Sequence, residues 1–334
     1  MTNRAVGAGR ARSGGDTAGA RVVADLGGTH ARFATLTAAG GLQDVEVMSC
    51  ADFPRMQDAI RTYFGGHGID EVAEICLAVA GPVDQDPVEL PNNPWAFSRS
   101  RLEKELGARL TVINDFTAQA LSIERLDLDD LTWIGMPRPH EGGTRVVVGP
   151  GTGLGVAIHQ SGSPVLNSEG GHMGFAPTSD HEIDLLKAMR TRFRRLSMER
   201  FLSGPGLENL YWANWHLERG HVDSGWSRIT AREVAALAGR GDALALRSIE
   251  DFFDILASFA GDLALTAWAT GGVYLSGGVL RKLVALFDLQ RFRARFEDKG
   301  RFTRFCETVP IAWITFEYPG LLGCAAALDG REGH

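Results

Sequence analysis

Cysteine is scarce. Cys50, Cys76, Cys306 and Cys324 are four in 334 residues, scattered and without metal-type spacing. That excludes a disulfide framework and reads as free thiols in a reducing cytosol, so a cytoplasmic location is expected. Positive charge is also short: 34 Lys and Arg against 41 Asp and Glu give a formal net charge of −7, which disfavours nonspecific nucleic-acid binding. No apolar run approaches the ~20 residues that a membrane-spanning helix needs. Residues 1–20 are dominated by Gly, Ala, Arg, Ser and Thr. They have too little apolar bulk to order themselves and no apolar core of a secretion signal, so a flexible tail is expected. The remainder is ordinary for a folded protein, 44% hydrophobic and 22% charged, and its length suggests roughly two domains.

The organising stretch is RVVADLGGTHARFATL, residues 21–36. Val22 and Val23 start a short apolar strand, Asp25 through Thr29 make a turn, and residues 32–36 return with apolar and polar residues roughly alternating. Gly27 and Gly28 permit close backbone approach, so their N–H groups can point at a phosphate. Asp25, at the strand end, is placed to face a metal ion accompanying that phosphate. RVVVGPGTGLGVAIH, residues 145–159, repeats the device with Gly151, Thr152 and Gly153 in the turn. Two such hairpins suggest two half-domains facing one nucleotide. Neither turn contains Gly-Lys-Ser/Thr, so this is not a Walker P-loop.

Elsewhere strands alternate with helices. Phe53, Met56, Ile60 and Phe64 recur at helical spacing, with Gly65 and Gly66 as the expected stop. Residues 75–80 read as a buried strand. Ser100 with Glu103 reads as a capping box, and Gly107 as the helix end. Residues 110–113 form a strand with Asn114 and Asp115 at its end, and residues 117–125 a helix. Further capping boxes are read at Ser179 with Glu182 and at Thr230 with Glu233. A helix end and a break are expected over residues 201–206, then a new helix from Leu207. Residues 242–269 are the longest helical stretch. Residues 272–276 form a strand that turns at Gly277 and Gly278 into a short helix. Residues 311–316 are a final strand and 320–328 a small Ala-rich helix. This is an α/β pattern, in which ligands gather at the carboxyl ends of strands. Asp115 stands at such an end.

An Asp after a strand is commonly a helix cap, here of the helix at Thr117. The functional alternative is a general base, because phosphoryl transfer to an alcohol needs a carboxylate near the hydroxyl. Asn114 offers a donor and an acceptor, which suits a sugar hydroxyl. Glu169 and His172 lie in a Gly-rich loop and can read further hydroxyls. As a metal pair they lack a close third ligand. Glu199 is either a further acceptor or an exposed helix glutamate.

Together these segments resemble the bacterial glucokinase family of the hexokinase/actin-like ATPase superfamily. The marks are DLGGT (25–29) with Arg32, Asn92 with WAFS (95–98), INDFTA (113–118), GTGLG (151–155), EGGH (169–172) with FAP (175–177), LSGPG (202–206), FEDKGRF (296–302) and PGLLG (319–323). The resemblance implies a two-lobed α/β fold of the actin-like ATPase (ribonuclease H-like) type with the active site in the interdomain cleft. The small lobe would hold residues 21–125 with the helix 318–330 returning to it, and the large lobe 126–317. It implies ATP- and Mg²⁺-dependent phosphorylation of the glucose 6-hydroxyl in a homodimer, with no nucleic acid or membrane partner. Asp115 would be the base. Asn92, Asn114, Asp115, Glu169, His172 and Glu199 would hold the sugar. Ala24, Asp25, Leu26, Gly27, Gly28, Thr29 and Arg32 would wrap the ATP phosphates, with Asp25 near Mg²⁺ through water. Gly151, Thr152, Gly153, Gly277 and Gly278 would complete the nucleotide cleft. The position after Gly-Gly-Thr, usually Asn in this family, is His30 here. Where the related repressor/kinase group carries a Cys-rich zinc motif this chain has Phe175-Ala-Pro, so no structural zinc is expected. Two alternatives stay open: a kinase for another hexose or amino sugar, and a non-catalytic sugar-binding regulator.

Overall fold

The computed structural model describes residues 19–90, 93–135, 140–220 and 225–330. The chain begins with β1 (Ala20–Leu26), β2 (His30–Leu36) and β3 (Leu42–Ser49), followed by α1 (Met56–His67) and β4 (Val72–Val79). A two-stranded ribbon, β5 (Val88–Glu89) and β6 (Ala96–Phe97), leads to α2 (Arg99–Leu106), β7 (Arg109–Asn114) and α3 (Asp115–Ser122). The first sheet runs β3-β2-β1-β4-β7, with β1, β2 and β3 antiparallel and β4 and β7 added in parallel. Successive residues of a strand face opposite ways. Val22, Ala24 and Leu26 therefore enter one core with Met56, Ile60 and Tyr63 of α1. Val23 enters a second core on the other face, and Asp25 shares that face.

The second half contains β8 (Leu131–Trp133), β9 (Arg145–Pro150), β10 (Leu154–His159), β11 (Leu166–Ser168), α4 (Asp180–Arg190), α5 (Gly204–Glu218), α6 (Ala231–Ala238) and α7 (Ala243–Ala267). It continues through β12 (Gly272–Leu275), α8 (Gly278–Leu283), α9 (Leu289–Glu297), α10 (Thr303–Thr308), β13 (Ile311–Ile314) and α11 (Pro319–Asp329). The second sheet runs β11-β10-β9-β12-β13-β8. One face, with Val146, Val148 and Leu275, packs on α4 through α7. The other face, with Val147, Ala157 and Tyr274, receives Ala120 and Ile123 from α3 and the neighbouring turn.

Helix α11 returns to the first sheet, where Leu321, Cys324 and Leu328 cover Val23, Cys76 and Ala78. Helices α3 and α11 thus form a layer between the two sheets. They touch closely: a Cβ added at Gly323 would lie 1.7 Å from the Ala118 carbonyl oxygen. Asp329 at the end of α11 is held by Arg21 at 2.7 Å and by Arg125.

Several boundaries differ from the sequence expectations. Helix α1 runs through Gly65 and Gly66 and stops at Gly68, which adopts φ of 65°. Mid-helix glycine costs only about 1 kcal/mol, whereas the left-handed cap position selects glycine. Helix α2 starts after Ser98, without the Ser100 box, because the Glu103 carboxylate accepts the Leu110 N–H at 3.1 Å instead. Helix α5 starts at Gly204, with Ser203 as its cap and Pro205 in its first turn, so the break is confined to residues 201–203 and the helix begins three residues before Leu207. The Thr230–Glu233 box forms in full. At Ser179 only half forms: its hydroxyl accepts the Glu182 N–H, while the Glu182 carboxylate goes elsewhere. Strand β3 has no counterpart in the sequence reading, and its Val45 and Val47 stand on the exposed positions.

Candidate active site

The two hairpin turns face one another. Each is closed by a backbone bond, Gly27 N–H to His30 O at 3.0 Å and Gly151 N–H to Gly153 O at 2.8 Å. Between them opens a cavity of about 390 Å³, lined by Gly27, Gly28 and Thr29 on one side and Gly151 and Thr152 on the other. Gly278, Lys282 and the first turns of α5 and α6 extend it. A second cavity of about 470 Å³ shares His30, Arg32, Gly278 and Lys282 and adds Asp25, Gln119, Ser276, Gly277 and Arg281. Gly277 is required by its φ of 107° and by the Pro150 carbonyl oxygen, 2.3 Å from where a Cβ would stand. Ala24 and Leu26 are fully buried in the first core, so only their backbone can serve the cleft.

Asp115 opens α3 at the carboxyl end of β7. The capping is done by its neighbour: Asn114 Oδ1 accepts the N–H groups of Phe116 at 2.9 Å and Thr117 at 3.3 Å. Asn114 Nδ2 donates to the Gly81 carbonyl at 3.1 Å. Asp115 Oδ1 accepts the Phe116 N–H at 3.0 Å. Burial, reinforced by the negative charge of Asp25, pushes the Asp115 carboxyl up to about 7. The two carboxylates are thus near enough for their charges to interact. Asp25 is itself raised by burial, against the opposing pull of Arg32 and Arg281. Arg32 Nη1 donates to Asp25 Oδ2 at 3.2 Å. The Asp25 carboxyl lies against Gly320 at the start of α11, 3.0 Å from an added Cβ. Gly320 and Gly323 together explain the PGLLG motif: one makes room for Asp25 and the other for α3.

Phe116 seats α3 on the second sheet. Its ring fills the space above Gly149 and Gly155, where an added Cβ would come within 2.8 Å and 1.9 Å of it. Thr117 Oγ1 donates to Asn167 Oδ1 at 2.5 Å, and Ser276 Oγ donates to Gln119 Oε1 at 2.8 Å. Both bonds cross between the halves of the chain.

Glu169 and His172 follow Asn167. Their side chains are 86% and 55% exposed, with Oε2 and Nε2 3.8 Å apart. Gly171 lets this segment lie flat on β10, 2.0 Å from the Leu154 carbonyl oxygen to an added Cβ. Residues 173–175 pair with 196–198, through Met198 N–H to Met173 O at 2.8 Å and Phe175 N–H to Leu196 O at 3.1 Å. That pairing delivers Glu199 to the second hairpin, where its Oε2 accepts the Leu154 N–H at 3.0 Å and abuts Gly153. Glu199 is thus half-buried in a short 3₁₀ turn rather than on an exposed helix. Asn92 lies outside the described residues. Gln119, Arg281 and Lys282 line the cleft and were not singled out from sequence. Gln119 follows Asp115 by four residues, one helical turn along the same face, and that spacing is the signal that finds it.

Among the described residues, no cluster of three or more His, Cys, Asp and Glu can hold a metal ion, and no helix is long and apolar enough to cross a membrane. A Mg²⁺ ion keeps water and phosphate ligands and needs only one or two carboxylates. Asp25, a carboxylate lining the second cavity beside Gly277 and Gly278, fits that modest requirement.

Two α/β halves around a cleft with paired phosphate-type turns define a phosphotransferase of the actin-like ATPase fold. The chain belongs to the glucokinase family, whose model matches residues 22–331. It is 42% identical over 316 residues to a glucokinase of Chromohalobacter salexigens, covering 93% of this chain and 98% of that one. It is also 42% identical to a bifunctional protein glk of Burkholderia lata, of which it spans 48%. A glucokinase crystal structure from an Antarctic psychrotroph superposes with a TM-score of 0.82 at 35% identity, covering 93% of this chain and 98% of that one.

Proposed function

We propose that this chain transfers the γ-phosphoryl group of ATP to the 6-hydroxyl of D-glucose, giving glucose 6-phosphate and ADP. The observation that carries the reading is the pair of adjoining cavities, one walled by both glycine turns and the other lined by Asp25, with Asp115 near enough to Asp25 to feel its charge. The turn amides and the Thr29 and Thr152 hydroxyls hold phosphate oxygens. Glu169 and His172 read sugar hydroxyls, with Asn114, Glu199 and Asn92 as further sugar contacts. Asp115 accepts the proton of the 6-hydroxyl as its oxygen bonds to phosphorus and the bond to the ADP oxygen breaks. A carboxyl held at about 7 is matched to base work at neutral pH. Asp25 would hold Mg²⁺ through water, and the ion would supply charge neutralisation on the phosphates. Closure of the small lobe (21–125 with 318–330) on the large lobe (126–317) excludes water, which is itself a competing acceptor.

The reading includes a cytoplasmic homodimer; light scattering on the purified protein checks the dimer. An ADP-release assay across hexoses, amino sugars and phosphoryl donors tests the reaction. Turnover fastest with glucose and ATP is expected. A faster rate on another sugar would move the substrate, and absence of ADP with every sugar would leave a sugar-binding regulator.

A further inference from the structure

The loop that bears Glu169 and His172 is fastened at its far end by groups that take no part in the chemistry. Glu182, in the first turn of α4, is only 5% exposed. Its Oε2 accepts the Thr178 N–H at 2.6 Å and the Thr178 hydroxyl at 3.1 Å. Its Oε1 accepts from the guanidinium of Arg295 on α9, which also donates to Thr178 Oγ1. One carboxylate thus ties the loop end to two helices.

From this clasp the chain is guided back to His172. Pro177 fixes its own φ. The Phe175 ring stacks on Phe201 with centroids 4.1 Å apart. Arg195 Nη2 donates to the His172 carbonyl at 2.7 Å. Beneath the loop is a cavity of about 90 Å³, lined by Met173, Phe175, Met198 and Phe259 among others. Packing from below therefore leaves the loop room to settle, and Glu182 itself lines that space. A buried ion pair adds little net stability over apolar side chains of similar size, but its directional bonds favour one arrangement.

We propose that Glu182 and Arg295 are positioning residues for the sugar site, holding the 169–178 loop at the height where Glu169 and His172 meet the sugar hydroxyls. The proposal rests on those two residues contacting sugar. It assigns to a carboxylate and a guanidinium the fastening of this loop.

The test compares wild type with Arg295→Met, Arg295→Lys and Glu182→Gln by KM for glucose, KM for ATP, kcat and Tm. Arg295→Met is expected to raise the glucose KM about tenfold, since sub-ångström misplacement of binding groups has effects of that order. The ATP KM and the kcat at saturating glucose should stay within about twofold, as for loss of an interaction made equally in ground and transition states. Arg295→Lys should recover part of the glucose KM, and Glu182→Gln should raise it. Discrimination against hexoses epimeric at one hydroxyl should weaken in step. A clasp that served stability alone would lower Tm and leave the glucose KM of the folded fraction unchanged, which overturns the proposal. If Arg295→Met does not fold, Arg295→Lys and Glu182→Gln decide it by the same readouts. Inactivity of wild type on every sugar would instead overturn the kinase reading.

Discussion

Four residues make the turn of the first hairpin and three that of the second, and in both the second cross-strand pair before the turn is the informative one. In β1–β2 that pair is Asp25 opposite Arg32. In β9–β10 the same place holds Gly149 opposite Gly155. The first hairpin therefore presents a carboxylate and a guanidinium at the cleft. The second presents bare backbone, and the space is taken by Phe116, whose neighbour is Asp115. One hairpin contributes charge and the other a seat. A repeated backbone shape does not imply a repeated role; the residues one step outside the turn decide it.

Replacing the group positioned by that seat should have the largest effect. Asp115→Asn is expected to lower kcat by about 10²- to 10⁴-fold with the ATP KM little changed. Steady-state kinetics on folded protein check it, and near-normal kcat would sink the assignment. The same variant has a stability signature. Folded Asp115 keeps its proton up to about pH 7, whereas an unfolded chain releases it near about 3.9. The folded state binds the extra proton between those values. The contribution of this group is therefore fully present below the unfolded pKa and is lost as pH rises through about 7. Asp115→Asn should melt higher than wild type at pH 8, and the gap should close towards pH 4.

The charged hairpin comes next. Asp25→Asn is expected to lower kcat/KM for MgATP by about 10- to 100-fold, because Arg32 and Arg281 lose their counter-charge and the metal loses a carboxylate. The glucose KM should change far less. Binding titrations of nucleotide with and without Mg²⁺ check it: the variant should lose most of the Mg²⁺ dependence that wild type shows.

What the sequence disclosed follows the reach of each interaction. Both hairpins, the strand ending at Asp115, the Thr230–Glu233 box and the long helix α7 are local patterns, and they form where expected. The family resemblance supplied the two lobes. Contacts made across the chain were illegible. Gly155 reads as part of a turn motif until Phe116 arrives from 39 positions earlier in the sequence, lying against it in the fold. Glu182 reads as a capping residue until Arg295 draws its carboxylate away. In each case local chemistry allowed several partners, and the tertiary structure chose.

The smallest expected effects come from one methyl group placed in each hairpin, and they separate seat from cradle. At Gly155 the new Cβ would stand 1.9 Å from the Phe116 ring. The ring must move, and Asp115 moves with it. Overpacking of this kind costs about 1–3 kcal/mol, so Gly155→Ala should lose stability and kcat together. At Gly27 the new Cβ would stand 3.3 Å from the His30 carbonyl oxygen, a tight contact that a few tenths of an ångström relieve. Gly27→Ala should therefore stay within about 1 kcal/mol of wild type in denaturant unfolding. Its effect should fall on the ATP KM, raised a few-fold by a methyl at the phosphate cradle. Equal destabilisation by the two substitutions would show that the hairpins share one structural role, and the contrast between charge and seat would fail.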